Sequence, residues 1–346
     1  MKKKSIVQIL KILFFLGIGF FSIWGFLRIL TPEEKKEILQ SFKHVKYGWL
    51  VASMAVGFVA HYLRALRWNM LIEPLGVTPK IKDTFAAVAV GYIGNFIIPR
   101  FGELARCYVL KKTSGPAVSS LFGTVIVERV VDMLVFLFMF IMALYIFLKQ
   151  MKNMASGFLA DFMNSFTEQK IIMLIVIMIA GITLLVLMYV FREKIRNKPL
   201  LGKLYTLFVK LKEGLLALFR IKRWPIFVLY TFVIWGCYLI MTWLCFLALE
   251  ETSHLPLMAA FASVTFGTVG IILVQGGIGV YPAIVSQTLV IFGVTTSMGY
   301  AMGWITWLAQ TVILIIMGMW AIAYLMFIKG LKFNDIRKHS AENSEI

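Results

Sequence analysis

Six charged residues stand inside otherwise apolar sequence in the first half of the chain, and their types and spacing point to one kind of chemistry. Arg100, Glu103 and Arg106 follow one another at intervals of three, so a helix through them puts all three on one broad face. Glu128, Arg129 and Asp132 come next, with Glu128 and Asp132 four apart and facing the same way. An ionised side chain at the centre of a membrane helix costs about 2.5–3.5 kcal/mol on insertion scales, so six uncompensated charges are untenable. Three are positive and three negative, and the simplest arrangement is a mutually paired network lining a hydrated cavity. In it the arginines receive a phosphate or another anionic head group while the acids hold them in place. A structural ion network, or a position at the membrane boundary, accounts for the same pattern without a ligand.

The elements that must position these charges are apolar helices. Of the 346 residues 60% are hydrophobic and only 15% charged, and mean hydropathy is +0.85, so the bilayer is the expected solvent. The expected fold class is all-α, a polytopic transmembrane helical bundle forming a single membrane domain over residues 1–346. Six stretches are long enough to cross a hydrocarbon core of about 30 Å: Ile12–Leu30, Trp49–Trp68, Ala117–Phe147, Ile171–Phe191, Ile226–Leu249 and Met298–Ile328. Lys2, Lys3 and Lys4 before the first resemble a secretory signal, but no small-residue cleavage site follows, and Thr31-Pro32-Glu33-Glu34 reads as a loop after a retained first span.

Phe85–Ile98 and Phe261–Val274 would reach only ~21 Å as helices, too short to cross. The first runs from Asn95 into Pro99-Arg100-Phe101-Gly102-Glu103 and the second into Gln275-Gly276-Gly277-Ile278-Gly279, so each reads as a re-entrant hairpin with its tip there. Irregular backbone at membrane depth is tolerated only where protein or a water-filled cavity covers it, and two such tips imply an interior cavity. Aligned without a gap, the two stretches match Phe85 with Phe261, Ala86 with Ala262, Val88 with Val264, Gly91 with Gly267 and Gly94 with Gly270. This points to a duplication, with repeats over about 12–148 and 171–328. Three crossings separate equivalent points, which makes the halves inverted, an architecture of secondary transporters. Gly-x-x-Gly spacing also recurs wherever membrane helices pack closely.

The balance of 35 Lys+Arg against 17 Asp+Glu, a net +18, follows the positive-inside bias of membrane loops and gives no reason to invoke nucleic acid. Lys80, Lys82, Lys111, Lys112, the basic run from Arg192 to Arg223 and Lys329 fall on one side if both hairpins are re-entrant. Both termini are then cytoplasmic, in a bacterial-type inner membrane, with 329–346 a short tail. Arg64 and Arg67, closing the second span beside Trp68, read as snorkelling anchors, and Leu200–Phe219 as an amphipathic helix on the membrane surface. Cys107, Cys237 and Cys245 have no metal-ligand spacing and read as packing residues; no metal or cofactor is expected, and no strand or Lys-Ser/Thr accompanies the glycine run to make a nucleotide loop.

Several of these motifs together resemble a known family. Arg67-Trp68, Gly91-Tyr92-Ile93-Gly94-Asn95-Phe96 running into Pro99-Arg100-Phe101-Gly102-Glu103 and Arg106, Glu128-Arg129-Val130-Val131-Asp132, and Gly276-Gly277-Ile278-Gly279-Val280-Tyr281 are similar to the membrane region of bacterial lysylphosphatidylglycerol synthases. The resemblance spans roughly Trp49 to Ile328. It implies a stand-alone, flippase-like member that moves a phospholipid between leaflets. The synthase domain that follows this region in bifunctional members is not expected in the short tail, so aminoacyl transfer does not carry over. The expected partner is a membrane phospholipid, with an ion gradient or a partner protein for any uphill movement. An enzyme acting on a lipid phosphate and a non-transporting accessory subunit are the competing classes.

Overall fold

In lipid a backbone can satisfy its N–H and C=O groups only within its own segment, and apolar runs with few breakers do so as α-helices. A computed structural model describes residues 17–97, 101–154 and 223–330, and among them the regular structure is entirely helical. In chain order the helices are α1 (Gly17–Ile29), α2 (Pro32–Ser41), α3 (Tyr47–Ile72), α4 (Ile81–Ile97), α5 (Phe101–Ser114) and α6 (Val118–Met154). There follow α7 (Trp224–Phe246), α8 (Leu257–Leu273), α9 (Val280–Val290) and α10 (Thr296–Ala323), the last extended by a π-helical turn, Tyr324–Ile328.

Among the described residues, four stretches are long and apolar enough to cross a membrane: Tyr47–Leu75, Val118–Phe147, Trp224–Phe246 and Thr296–Ile328. They correspond to four of the six expected crossings, and the chain is a multi-pass membrane protein. The expected crossing Ile171–Phe191 lies outside the described residues, as do residues 12–16 of the first. So do the amphipathic stretch Leu200–Phe219, residues 192–222 of the basic run, Pro99, Arg100 and the tail from residue 331.

The residues read as a loop after the first span instead start a helix. Thr31 caps α2: its hydroxyl accepts from the Glu34 N–H at 3.2 Å, while the Glu34 carboxylate accepts from the Thr31 N–H at 2.7 Å, and Pro32 takes the first helical position. Two orphan donors are thereby satisfied, which outweighs the loop character of the proline and acids.

The described residues form two compact units, one holding those up to Val125 and from Arg223 onward, the other those from Ile126. In the first unit small residues set the closest helix approaches. Gly299 and Gly303 of α10 lie against Ser286 and Pro282 of α9, where an added Cβ would come within 3.0 Å and 2.6 Å of their Cα atoms. Ser53 of α3 donates to the Met241 carbonyl of α7 at 2.9 Å. Tyr281, Val285, Leu289, Met302 and Phe246 belong to one buried cluster, and Phe26 of α1 stacks on Tyr300 at 3.9 Å. The three cysteines are buried, as their reading as packing residues expects.

Candidate functional site

The two short apolar stretches each begin a helical hairpin. In the first, α4 and α5 meet through glycines. A Cβ on Gly102 would overlap the Gly91 carbonyl oxygen, and one on Gly94 would sit 3.2 Å from the Gly102 Cα. Asn95 fastens the turn from α4: its Oδ1 accepts from the Gly102 N–H at 2.8 Å, satisfying one orphan donor of α5, and its Nδ2 donates to Glu103 Oε1 at 3.0 Å. Gly102 and Glu103, expected at the tip, therefore belong to the first turn of the return helix, which begins at Phe101.

In the second hairpin the return is a single tight turn, Gln275–Gly277. Gly276, Gly277 and Gly279 take φ of 69°, 70° and 72°, a region open to glycine at little cost. Gly267 and Gly270 then face Tyr281 of α9, where an added Cβ would come within 2.5 Å of the ring and 3.2 Å of the backbone. The ends of the two hairpins touch. Phe96 covers Gly276, and Trp307 of α10 donates from Nε1 to the Gly276 carbonyl at 2.6 Å. From the other side Gly19 of α1 packs against Ile278 and Gly279.

Beside the first hairpin lies a buried group of cations, Arg106 with Arg64 and Arg67, the last two of which the sequence reading placed at the membrane surface. Arg67 is fully buried and Arg64 is 4% exposed, so neither snorkels to the surface. The helix face that carries them turns inward against α4 and α7 rather than toward lipid. Arg67 Nη1 donates to Thr231 Oγ1 at 3.0 Å and its guanidinium lies over the Phe227 ring at 5.5 Å. Arg64 lies 5.7 Å over the Tyr92 ring, and Arg106, also buried, 4.4 Å over the Trp68 ring. Trp68 is held by a bond from Nε1 to Thr124 Oγ1 at 2.9 Å. His61, one turn before Arg64, meets Tyr92 edge-on at 4.7 Å. Aromatic faces stabilise a desolvated guanidinium by cation–π attraction, and the planar N–H fork stays suited to a bidentate oxyanion.

A second buried polar contact ties the start of α4 to the end of the last span. Asp83 accepts from the Tyr324 hydroxyl at 2.7 Å and from Lys329 Nζ at 2.9 Å. Asp83 is the only acidic residue between Lys80 and the hairpin, and the sequence reading did not single it out.

Of the six charges singled out in sequence, Glu103 and Arg106 thus lie with Arg64, Arg67 and His61 in the first unit. Glu128, Arg129 and Asp132 lie on α6 in the second unit, Glu128 fully buried, Asp132 buried and Arg129 half-buried.

The Lysylphosphatidylglycerol synthase TM region profile matches residues 8–325. The chain belongs to this family. A UPF0104 membrane protein of Pyrococcus horikoshii is 26% identical over 256 residues, 66% of this chain and 73% of that one. A UPF0104 membrane protein of Methanocaldococcus jannaschii is 27% identical over 140 residues, 39% of this chain and 38% of its own. A protein named glycosyltransferase AglD, of Haloferax volcanii, is 34% identical over 87 residues, 25% of this chain and 14% of its own length. The matched part therefore spans well under half of these last two relatives. No solved structure matches the chain significantly.

Proposed function

We propose that this family member is a lipid translocase, or a closely related lipid-binding protein, which shelters an anionic head group inside the helical bundle while the acyl chains stay in the bilayer. The reading rests on one observation: Arg64, Arg67 and Arg106 are buried beside a hairpin within an apolar helical frame. Each buried cation costs about 2.5–3.5 kcal/mol at the middle of a membrane helix, and an oxyanion is the ligand that such a group would stabilise most. Glu103 and, as read from the sequence alone, Arg100 are the further head-group residues of this proposal, the acid holding the arginines when no ligand is present; Glu128, Arg129 and Asp132 on α6 are proposed as a head-group-binding set of their own. The tips at Asn95, Gln275, Gly276, Gly277 and Gly279, with Gly102 in the first turn of the return helix and Pro99 as read from the sequence alone, are the proposed moving parts of an inverted repeat in which the two halves rock about the site. Both termini face the cytoplasm of an inner-membrane-type bilayer in this proposal, and uphill movement would draw on an ion gradient or a partner protein.

The match to a protein named as a glycosyltransferase favours a second reading, a membrane module that serves a glycosyltransferase. Purified chain in liposomes with head-group-labelled lipids separates the two. Leaflet exchange above the protein-free rate, lost on Arg106→Ala, supports translocation. Head-group modification without exchange supports the second reading, and neither outcome removes both in favour of an accessory role.

A further inference from the structure

A lateral groove of about 320 Å³ opens between α3, α4 and α10 of the first unit, lined by Phe58, Tyr62, Phe85, Met317 and Trp320, with Lys82 at one end. Its volume falls within the range of about 300–1,000 Å³ in which small-molecule sites lie. Phe85, 5% exposed, is the floor, with the rings of Phe58, Tyr62 and Trp320 standing around it at 5.3, 6.1 and 5.3 Å. The rims are exposed: Phe58, Tyr62, Ile316 and Trp320 all show more than a third of their surface. The groove therefore faces outward and does not reach the buried arginines.

The lining is ordered along the helix axes. Lys82 neighbours Asp83, which is tied to Tyr324 and Lys329, and Trp320 stacks on Tyr324 at 5.3 Å, so this end is the polar one. Phe58 lies one helical turn beyond Tyr62, and Ile316 one turn beyond Trp320, so the other end is wholly apolar. A slot with rings at its sides, an exposed ammonium at its mouth and no polar group in its depth is complementary to an alkyl chain that ends in an anion. Tyrosine and tryptophan are also enriched at the head-group level of a bilayer, and lysine extends its ammonium to that level.

We propose that this groove is a resident lipid site, holding one acyl chain of an anionic phospholipid with its phosphate at the Lys82 ammonium. The site is separate from the proposed head-group cavity and requires no movement between leaflets, so occupancy and translocation can fail independently.

The test uses the full chain in phosphatidylcholine nanodiscs doped with phosphatidylglycerol or phosphatidylcholine carrying a diazirine on one acyl chain, with labelled peptides mapped by mass spectrometry. The expected result is labelling concentrated on the segments around Phe58–Tyr62 and Ile316–Trp320 rather than on the exposed Phe232 of α7. The phosphatidylglycerol probe should label these about fivefold more than the phosphatidylcholine probe, as one lysine near a membrane surface provides. Lys82→Ala should bring that ratio to about one while chain labelling persists, and Ile316→Trp, which fills the slot, should suppress labelling by both probes. Labelling no greater at the groove than at Phe232, or a head-group preference unchanged in Lys82→Ala, overturns the proposal. So does protein–protein crosslinking through Trp320, which would assign the groove to a second copy. Loss of exchange in the liposome assay with groove labelling intact would count against the translocase reading alone.

Discussion

The two hairpins solve one packing problem and then part company chemically. Gly91 and Gly94 in the first, and Gly267 and Gly270 in the second, occupy matching positions and both let the return helix approach closely. What approaches differs. In the first it is the Gly102 backbone and Arg106; in the second it is the ring and backbone of Tyr281. The same offset sets Asn95, which clamps the first turn, against Ile271, 39% exposed, and Asp83 against the buried Ala259. The two hairpins share the close backbone fit, while charge is concentrated in one of them. A charged hairpin needs compensating partners around it, and an apolar one needs only shape; the same glycine spacing therefore serves one charged wall and one apolar wall.

The largest effect that should separate the hairpins is steric. At Gly102 an added methyl would run into backbone, which cannot rotate away, whereas at Gly267 it would meet a tyrosine ring. Gly102→Ala should leave little folded protein in detergent, a loss of more than about 4 kcal/mol. Gly267→Ala should fold with a lowered Tm, costing about 1–3 kcal/mol as the ring shifts. Thermal unfolding of both variants, followed by tryptophan fluorescence, measures the difference. Equal Tm values would mean that the first hairpin is looser than its glycine contacts imply.

Next comes function. Arg106→Ala removes a buried guanidinium and should lower lipid exchange at least tenfold, about 1.4 kcal/mol, with the helical circular-dichroism signal unchanged. Tyr281→Phe, in the second hairpin, removes a hydroxyl whose bond from Gln310 Nε2 is long at 3.4 Å, and should leave exchange within about twofold. If the two variants lost exchange equally, the division of labour between the hairpins would not stand.

How far this division could be read from sequence depends on the distance over which each feature acts. The glycine repeat, the short helices and the charges at Glu103 and Arg106 are local, carried by spacing alone. Arg64 and Arg67 were misread because an arginine near a span end has the same sequence signature whether it reaches lipid head groups or turns inward. The direction is decided by residues far from them in sequence: Phe227 and Thr231, more than 150 residues away on α7, for Arg67, and Tyr92 on α4 for Arg64. Asn95 was singled out as a tip residue, yet its clamp on Gly102 and Glu103 depends on how tightly the turn closes. His61 gave no signal at all, being a single histidine in an apolar run. The cap at Thr31 was present in the sequence, as Ser/Thr followed three residues later by Glu with proline between, and was overlooked because proline and acids also mark loops.

Smaller effects test whether the polar attachments of the first hairpin are structural or functional. Asn95→Ala deletes the acceptor for the Gly102 N–H and the donor to Glu103 and should cost about 1–3 kcal/mol, while Ile271→Ala, at the matching exposed position, should cost less than about 0.5 kcal/mol. Asp83→Asn is the subtlest case. The amide oxygen can still accept from the Tyr324 hydroxyl, but the charge opposite Lys329 is gone, and Lys329 is already about a quarter exposed at 26%. A half-solvated pair of this kind contributes little, about 0–1 kcal/mol, so the Tm should scarcely move. Asp83→Ala removes both bonds and leaves a buried phenol without its acceptor, and should cost about 1–3 kcal/mol. A fall in Tm as large for Asn as for Ala would show that the charge, not the hydrogen bond to Tyr324, secures the first hairpin to the last span; a fall for Ala alone would show that the hydroxyl contact does, and that α4 is anchored by the same neutral chemistry that suffices for its apolar counterpart.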